Sequence, residues 1–251
     1  STKNAMLKAH CDSNMWSCNF LLTEAVTNSL LDNTGSYVIY RKDRLYKRAG
    51  GVIGMVSNKF SSHAIPIPAK YDLLELVAFC VVTPLGSFRF ITVYRPPEFY
   101  NQSGRDYMAM LSECLEFLCD TKDTVLLVGD FNLPYINWAE FDSPNDSIHS
   151  IFLDCCVHHG LNQFVNEPTR DGNCLDLVLS NDQLIVSDLH VSDPFSTSDH
   201  SSITFSLLLT PHETVDSTCA CYHDFERADF DALNAAMAQH PFNNNIVVAE
   251  S

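Results

Sequence analysis

Apolar stretches that do not alternate, such as LLELVAFCVV (Leu73–Val82) and VLLV (Val125–Val128), constrain the fold of this chain more than any other feature. A strand with one wet face alternates apolar and polar residues. One that is apolar throughout must be covered on both faces. Similar β-branched and aromatic runs occur at Cys18–Thr23, Tyr37–Tyr40, Val52–Val56, Phe88–Tyr94, Leu175–Leu179, Leu184–Val191 and Ile203–Leu209. Helical spacing separates some of them. Tyr107, Leu111, Cys114, Leu115 and Leu118 fall on one face, as do Ile148, Ile151, Phe152 and Cys155, with Asn145 or Asp146 expected as the cap. Many covered strands with few helices predict an α/β layered sandwich.

The 251 residues suffice for a sizeable core. After Leu209 the chain turns polar, and FERADFDALNAAMAQH reads as a short amphipathic helix with Phe230, Leu233 and Met237 on one face. We therefore expect one domain over 1–210, followed by a linker and helix over 211–251. No stretch approaches the roughly 18–20 apolar residues of a membrane span, and the N-terminus lacks the apolar region of a secretory signal. An intracellular location is expected, with the ten cysteines reduced, since no paired C-x-x-C knuckle suggests zinc. The chain starts at Ser1, which reads as a fragment or processed product.

A formal charge of −16 argues against a broad nucleic-acid-binding surface. RKDRLYKR (Arg41–Arg48), five basic residues in eight, is the local exception. It is either a solvated turn or a phosphate-contacting patch. Acidity also suits a site that gathers carboxylates around a divalent cation.

Polar residues recur where the apolar runs end: Glu24 after CNFLL, Tyr94 closing FRFITVY, Asp130 and Asn132 after VLLVG, Asp176 within CLDLVLS, and Ser198, Asp199 and His200 before SSITFSLLL. Each alone has a plain structural reading as a turn cap or surface pair. A carboxylate inside a strand is harder to dismiss, because burial demands a partner. In an extended backbone residues two apart share a side, so Asp130 and Asn132 are expected to project together while Phe131 turns into the core.

The segments LLTE, RAGGVIGMV, VYRPP, LLVGDFN, NEPTRDG, CLDLVLS and SDHSSI resemble the endonuclease domain of LINE-type (non-LTR) retrotransposon polyproteins, part of the endonuclease/exonuclease/phosphatase superfamily. The resemblance covers roughly 17–210, and DFERADFDALNAAM is similar to the connector before the reverse transcriptase. It implies a four-layer αββα sandwich of two mixed β-sheets with the site at one end. It also implies Mg²⁺-dependent nicking of one DNA strand, with Mn²⁺ as substitute, leaving a 3′-hydroxyl that primes reverse transcription in the nucleus. Partners implied are DNA and the downstream reverse transcriptase region, with no membrane. By the same resemblance Glu24 is the principal metal ligand and Asp199 a second. Asp130 handles the attacking water, Asn132 holds water or phosphate, and Asp176 fixes the ring of His200. Tyr94 bonds the scissile phosphate, while Thr169, Ser198 and, more weakly, Arg95 contact substrate or brace the site. The family opens on a strand ending in Asn, for which only Asn4 stands here, so the first strand is expected to be truncated, altered or out of register. A decayed relic that binds without catalysis, and a phosphatase of the same superfamily, are the rival readings.

Overall fold

The structure, a computed structural model, describes residues 6–11, 14–20, 27–44, 51–83, 86–97, 103–194 and 198–207, with the backbone alone over the first two segments. Six strands form the first sheet: β1 (Met6–Cys11), β2 (Asn14–Phe20), β3 (Tyr37–Asp43), β4 (Gly51–Ser57), β11 (Val186–Ser192) and β12 (Ser202–Leu207). The second holds β5 (Ser61–Ala64), β6 (Glu75–Thr83), β7 (Gly86–Tyr94), β8 (Thr124–Asp130), β9 (Asn162–Gln163) and β10 (Asp176–Ser180). Their orders are β11-β12-β1-β2-β4-β3 and β5-β6-β7-β8-β10-β9. Three helices accompany them: α1 (Asn28–Leu31), α2 (Gly104–Cys119) and α3 (Ile148–His158).

The apolar runs lack alternation because each face of the second sheet meets a different apolar layer. On β8, Val125 and Leu127 pack under α2 and α3 beside Leu111, Leu115 and Phe152. Leu126 and Val128 point the other way, into the gap between the sheets, with Ile203 and Phe205 of β12 and Val52 and Val56 of β4. On β6, Leu76 and Ala78 take the helix side and Val77, Phe79 and Val81 the inter-sheet side. On the outer face of the first sheet, among the described residues, Ile53 and Met55 meet Leu31 of α1, Tyr37 and Ile39. This is the αββα order the resemblance implies.

Gly54 lets the sheets approach. A Cβ built there would lie 2.3 Å from the Phe79 ring, which stacks between Tyr40 and Phe90 with centroids 4.6 and 5.4 Å away.

The first described strand, β1, is central, pairing parallel with β12 and antiparallel with β2. It ends at Cys11 and not at an asparagine, in keeping with the altered first strand expected. Asn4 itself lies outside the described residues, as do Glu24 and the segment 208–251. The cap of α3 differs from expectation. Ser147 accepts from the backbone N–H of His149 and Ser150, and the Ser150 hydroxyl completes a capping box. Asp146 instead takes a left-handed φ of 50° in the turn before it. Periodicity marks the helical face but not which neighbouring polar residue turns toward the free N–H groups. The short edge strands β5 and β9 carry too few apolar residues to be seen in the sequence. Among the described residues no helix is long and apolar enough to cross a membrane.

Phe79→Ala should lower stability by about 3–5 kcal/mol, the usual cost of emptying a buried phenyl site. It should read as a lower urea midpoint at unchanged slope.

Candidate active site

Three strand ends of the second sheet stand level with one another. Tyr94 closes β7 opposite Asp130 at the end of β8, and Asp130 pairs in turn with Asp176, the first residue of β10. In-register neighbours share a face. The pleat that sends Leu126, Val128 and Val178 into the inter-sheet gap therefore sends both carboxylates there as well. Gly129 permits the last step of β8. Its φ is 152°, and a Cβ there would lie 1.9 Å from the carbonyl oxygen of Val93.

The opposite sheet supplies the imidazole. Ser198 Oγ accepts from the His200 N–H at 3.0 Å, a tight turn that drops His200 into the gap just before β12. Its Nδ1 lies 2.9 Å from Asp176 Oδ2 and its Nε2 3.8 Å from Asp130 Oδ2. All three residues are buried, at 3 % exposure or less. Asp130, Asp176 and His200 offer three ligand atoms within 4.8 Å of one another, an arrangement that could hold a metal ion. Asp176 Oδ1, buried, has no hydrogen-bond partner among the described residues. An orphaned carboxylate oxygen beside a second buried carboxylate fits a hard cation, which takes oxygen ligands.

Asp130 is costly to charge. Burial, followed by repulsion from Asp176, pushes the Asp130 carboxyl up to about 8, although His200 and hydrogen bonds from Asn132 pull the other way. His200 shifts upward. Burial would lower it, but the hydrogen bond and charge of Asp176, helped by Asp130, outweigh burial and the opposing Arg170. Burial lifts the Tyr94 phenol too, with Asp130 adding and Arg44 opposing. Arg44 lies over the Tyr94 ring at 5.1 Å and is gripped by Glu75 at 2.5 and 2.9 Å.

Backbone satisfaction holds the loops. The Asp130–Asn132 pairing is a turn and not an extended pleat: Asn132 adopts a φ of 49° and its N–H bonds Asp130 Oδ1 at 3.1 Å. Phe131 does turn into the core, against Phe152. That turn leaves two carbonyls needing donors, and Arg95 supplies them, reaching the Phe131 and Asn132 oxygens at 3.2 and 3.1 Å. Asn132 Nδ2 returns a bond to the Arg95 carbonyl. Arg95 is buried at 2 % exposure and braces the loop. Thr169 is a brace as well. Its Oγ1 accepts from the N–H groups of Leu175 and Asp176 at 3.0 Å each, and its carbonyl accepts from Ser201 N–H. Bracing is one of the two roles expected of Thr169; sequence marks a polar residue near a site but not which way it points.

Glu24 lies outside the described residues. Strand β2, which leads toward it, ends at the level where β12 begins, because Met6 pairs with both Asn19 and Ser202. Asp199 is half exposed and bonded to Arg170 Nη2 at 2.8 Å. Arg170, which the sequence reading passed over, also places Nη1 3.4 Å from His200 Nε2. Its position inside NEPTRDG was the available signal. The basic segment is largely neutralised where described: Arg41 pairs with Asp43, Lys42 with Asp72 and Arg44 with Glu75.

Residues 88–204 match the family described as endonuclease-reverse transcriptase. The fold is similar to that of the endonuclease domain of TRAS1, a telomere-specific non-LTR retrotransposon, at TM-score 0.55 and 13 % identity, covering 71 % of this chain and 82 % of that one. A 3′ phosphatase from Neisseria bound to a product DNA hairpin matches at TM-score 0.54 and 15 % identity, over 74 % and 85 % of the two chains. A 3′–5′ exonuclease from Neisseria meningitidis matches at 0.53 and 14 %, over 74 % and 85 %. No curated protein matches the chain in sequence. The resemblance to LINE-type endonuclease domains is thereby borne out, and the fold is that of the endonuclease/exonuclease/phosphatase superfamily.

Two outcomes follow from the braces and the buried charge. Thr169→Val strands two buried N–H donors at about 1–3 kcal/mol each, so its melting temperature should fall well below that of Thr169→Ser. Asp130 ionises near 4 when unfolded and near 8 when folded. Between those values the folded chain retains a proton that the unfolded chain releases, so this group costs stability as pH rises. With chelator present, Asp130→Asn should melt above the parent at pH 8, and the gap should close toward pH 4.

Proposed function

We propose, starting from a chain of the endonuclease/exonuclease/phosphatase fold with a LINE-type endonuclease sequence, that it hydrolyses phosphodiester bonds of DNA with Mg²⁺, Mn²⁺ serving as substitute. One strand is nicked to leave a 3′-hydroxyl, from which a reverse transcriptase region of the same polyprotein primes synthesis. The buried Asp130–His200–Asp176 cluster carries this reading. Its carboxylates face the end of the sandwich where Tyr94 and the Ser198–His200 turn also converge.

Asp130 and the orphaned oxygen of Asp176 suit a divalent cation, with Glu24 and Asp199 as the further ligands implied by the family. When bound, such an ion neutralises charge on the phosphoryl oxygens and eases deprotonation of water. The chain's own groups do the rest. Asp130 accepts the proton of the attacking water at a carboxylate oxygen. Asp176 holds the His200 ring through Nδ1, so that Nε2 faces the reacting phosphate and can carry a proton to it. Asn132 commits one Nδ2 hydrogen to the Arg95 carbonyl, which leaves its second N–H for a phosphate oxygen and its Oδ1 to accept from water. Tyr94 offers its phenol to a phosphate oxygen. Deep burial strengthens each of these interactions by excluding bulk water.

Supercoiled plasmid should convert to nicked circles in Mg²⁺ and remain intact in chelator. His200→Ala and Asp130→Ala should each slow nicking by roughly 10²–10⁴. Parent protein that leaves the plasmid supercoiled would overturn the proposal, and cleavage restricted to terminal phosphates would move it to a phosphatase.

A further inference from the structure

A phosphodiester entering this site meets Asp130, Asp176 and Asp199, three carboxylates of its own sign. The described cation directed at the same point is Arg170. Its placement is built in. Arg170 and Asn173 exchange backbone hydrogen bonds at 3.0 and 2.8 Å, and between them Asp171 and Gly172 hold φ of 48° and 78°, the two left-handed residues of a tight type I′ turn. The preceding residue, Thr169, is tied to the start of β10 and to Ser201 before β12. A rigid turn thus delivers the guanidinium to the seam between the sheets.

There the side chain is mostly buried, at 18 % exposure. One nitrogen, Nη2, bonds Asp199 at 2.8 Å, and Nη1 faces His200 Nε2 at 3.4 Å, on the opposite side of the ring from Asp176. Nε lies 3.5 Å from the exposed Asp171 carboxylate without forming a hydrogen bond. A guanidinium has five donors and no acceptor. Among the described residues this fork has no bidentate carboxylate partner: Asp199 takes Nη2, and Asp130 Oδ2 stands 3.8 Å from Nε2, the place where a phosphate would approach His200. Planar bidentate donation to phosphate is what distinguishes arginine from lysine.

We propose that Arg170 is a phosphate-binding residue of this site, holding a non-bridging oxygen of the scissile phosphodiester beside His200, with Asp199 keeping the guanidinium in aim. This rests on the phosphodiesterase reading, yet it concerns binding and can be tested apart from cleavage.

The probe is a short fluorescent DNA duplex, titrated in chelator over a range of salt. Each phosphate neutralised contributes about 0.9 to the slope of log Kobs against log salt. Arg170→Ala should weaken binding about tenfold or more and reduce that slope by about one. Arg170→Lys should keep the slope, since its charge remains, but nick plasmid in Mg²⁺ at least tenfold more slowly for want of the second donor. Should Arg170→Ala fail to fold, the lysine variant decides alone: slow nicking at an unchanged slope supports the proposal, and parental nicking overturns it. An unchanged slope in a folded Arg170→Ala overturns it also, even where the parent protein nicks DNA. A parent that binds with the expected slope change on mutation but never nicks would refute the proposed hydrolysis and leave Arg170 as a phosphate contact.

Discussion

Asp130 and Asp176 lie side by side at the ends of two antiparallel strands, both buried, and they cannot both be charged in that position unless something positive stands between or beside them. His200 meets part of the requirement through Asp176 Oδ2. The other Asp176 oxygen is left without a hydrogen bond, and the proton affinity of Asp130 rises far above that of an ordinary carboxylate. A fold that retained this cluster for stability alone would do better with apolar residues of similar size. The arrangement makes sense as a site whose electrostatic deficit a bound cation would relieve.

Rigid bracing keeps that deficit from collapsing the geometry. Buried strands are held from both faces, by α2 and α3 outside and by the facing sheet inside. At their ends the loops are fixed by bonds to backbone groups that would otherwise be stranded. Arg95 and Asn132 clamp the ends of β7 and β8 together, and Thr169 caps the start of β10. Ser198 sets the turn before β12. None of these four need touch a substrate to matter, because each fixes where a reacting group stands.

Under the phosphodiesterase proposal, Arg44 and Arg170 are the groups with which an acidic chain would handle an anionic polymer. Both are tethered to a carboxylate, Glu75 or Asp199, and both stand against a functional side chain, Tyr94 or His200. The net charge of −16 therefore describes the surface as a whole and not the site. Long-range attraction of DNA is weak for such a body. Recognition through a few well-aimed donors at short range is what remains.

The sequence by itself determined the layered architecture, because unbroken apolar runs have no stable place except between two covering layers. All nine of those runs meet a strand of the structure, and both periodic segments are helices. It also determined which polar residues end strands, since Asp130, Asp176 and His200 interrupt apolar patterns that physics would otherwise leave intact. Only the tertiary structure decided which of them meet. Register between β8 and β10, and the drop of His200 from the opposite sheet, bring together residues 24 and 46 to 70 positions apart, and no local pattern encodes a distance of that kind. Direction was likewise decided there: Arg95 and Thr169 turn inward to serve backbone groups, while Arg170, marked in the sequence only by its place in NEPTRDG, turns toward the imidazole. A side chain's identity is local, but its aim depends on which unsatisfied group the folded chain places within reach.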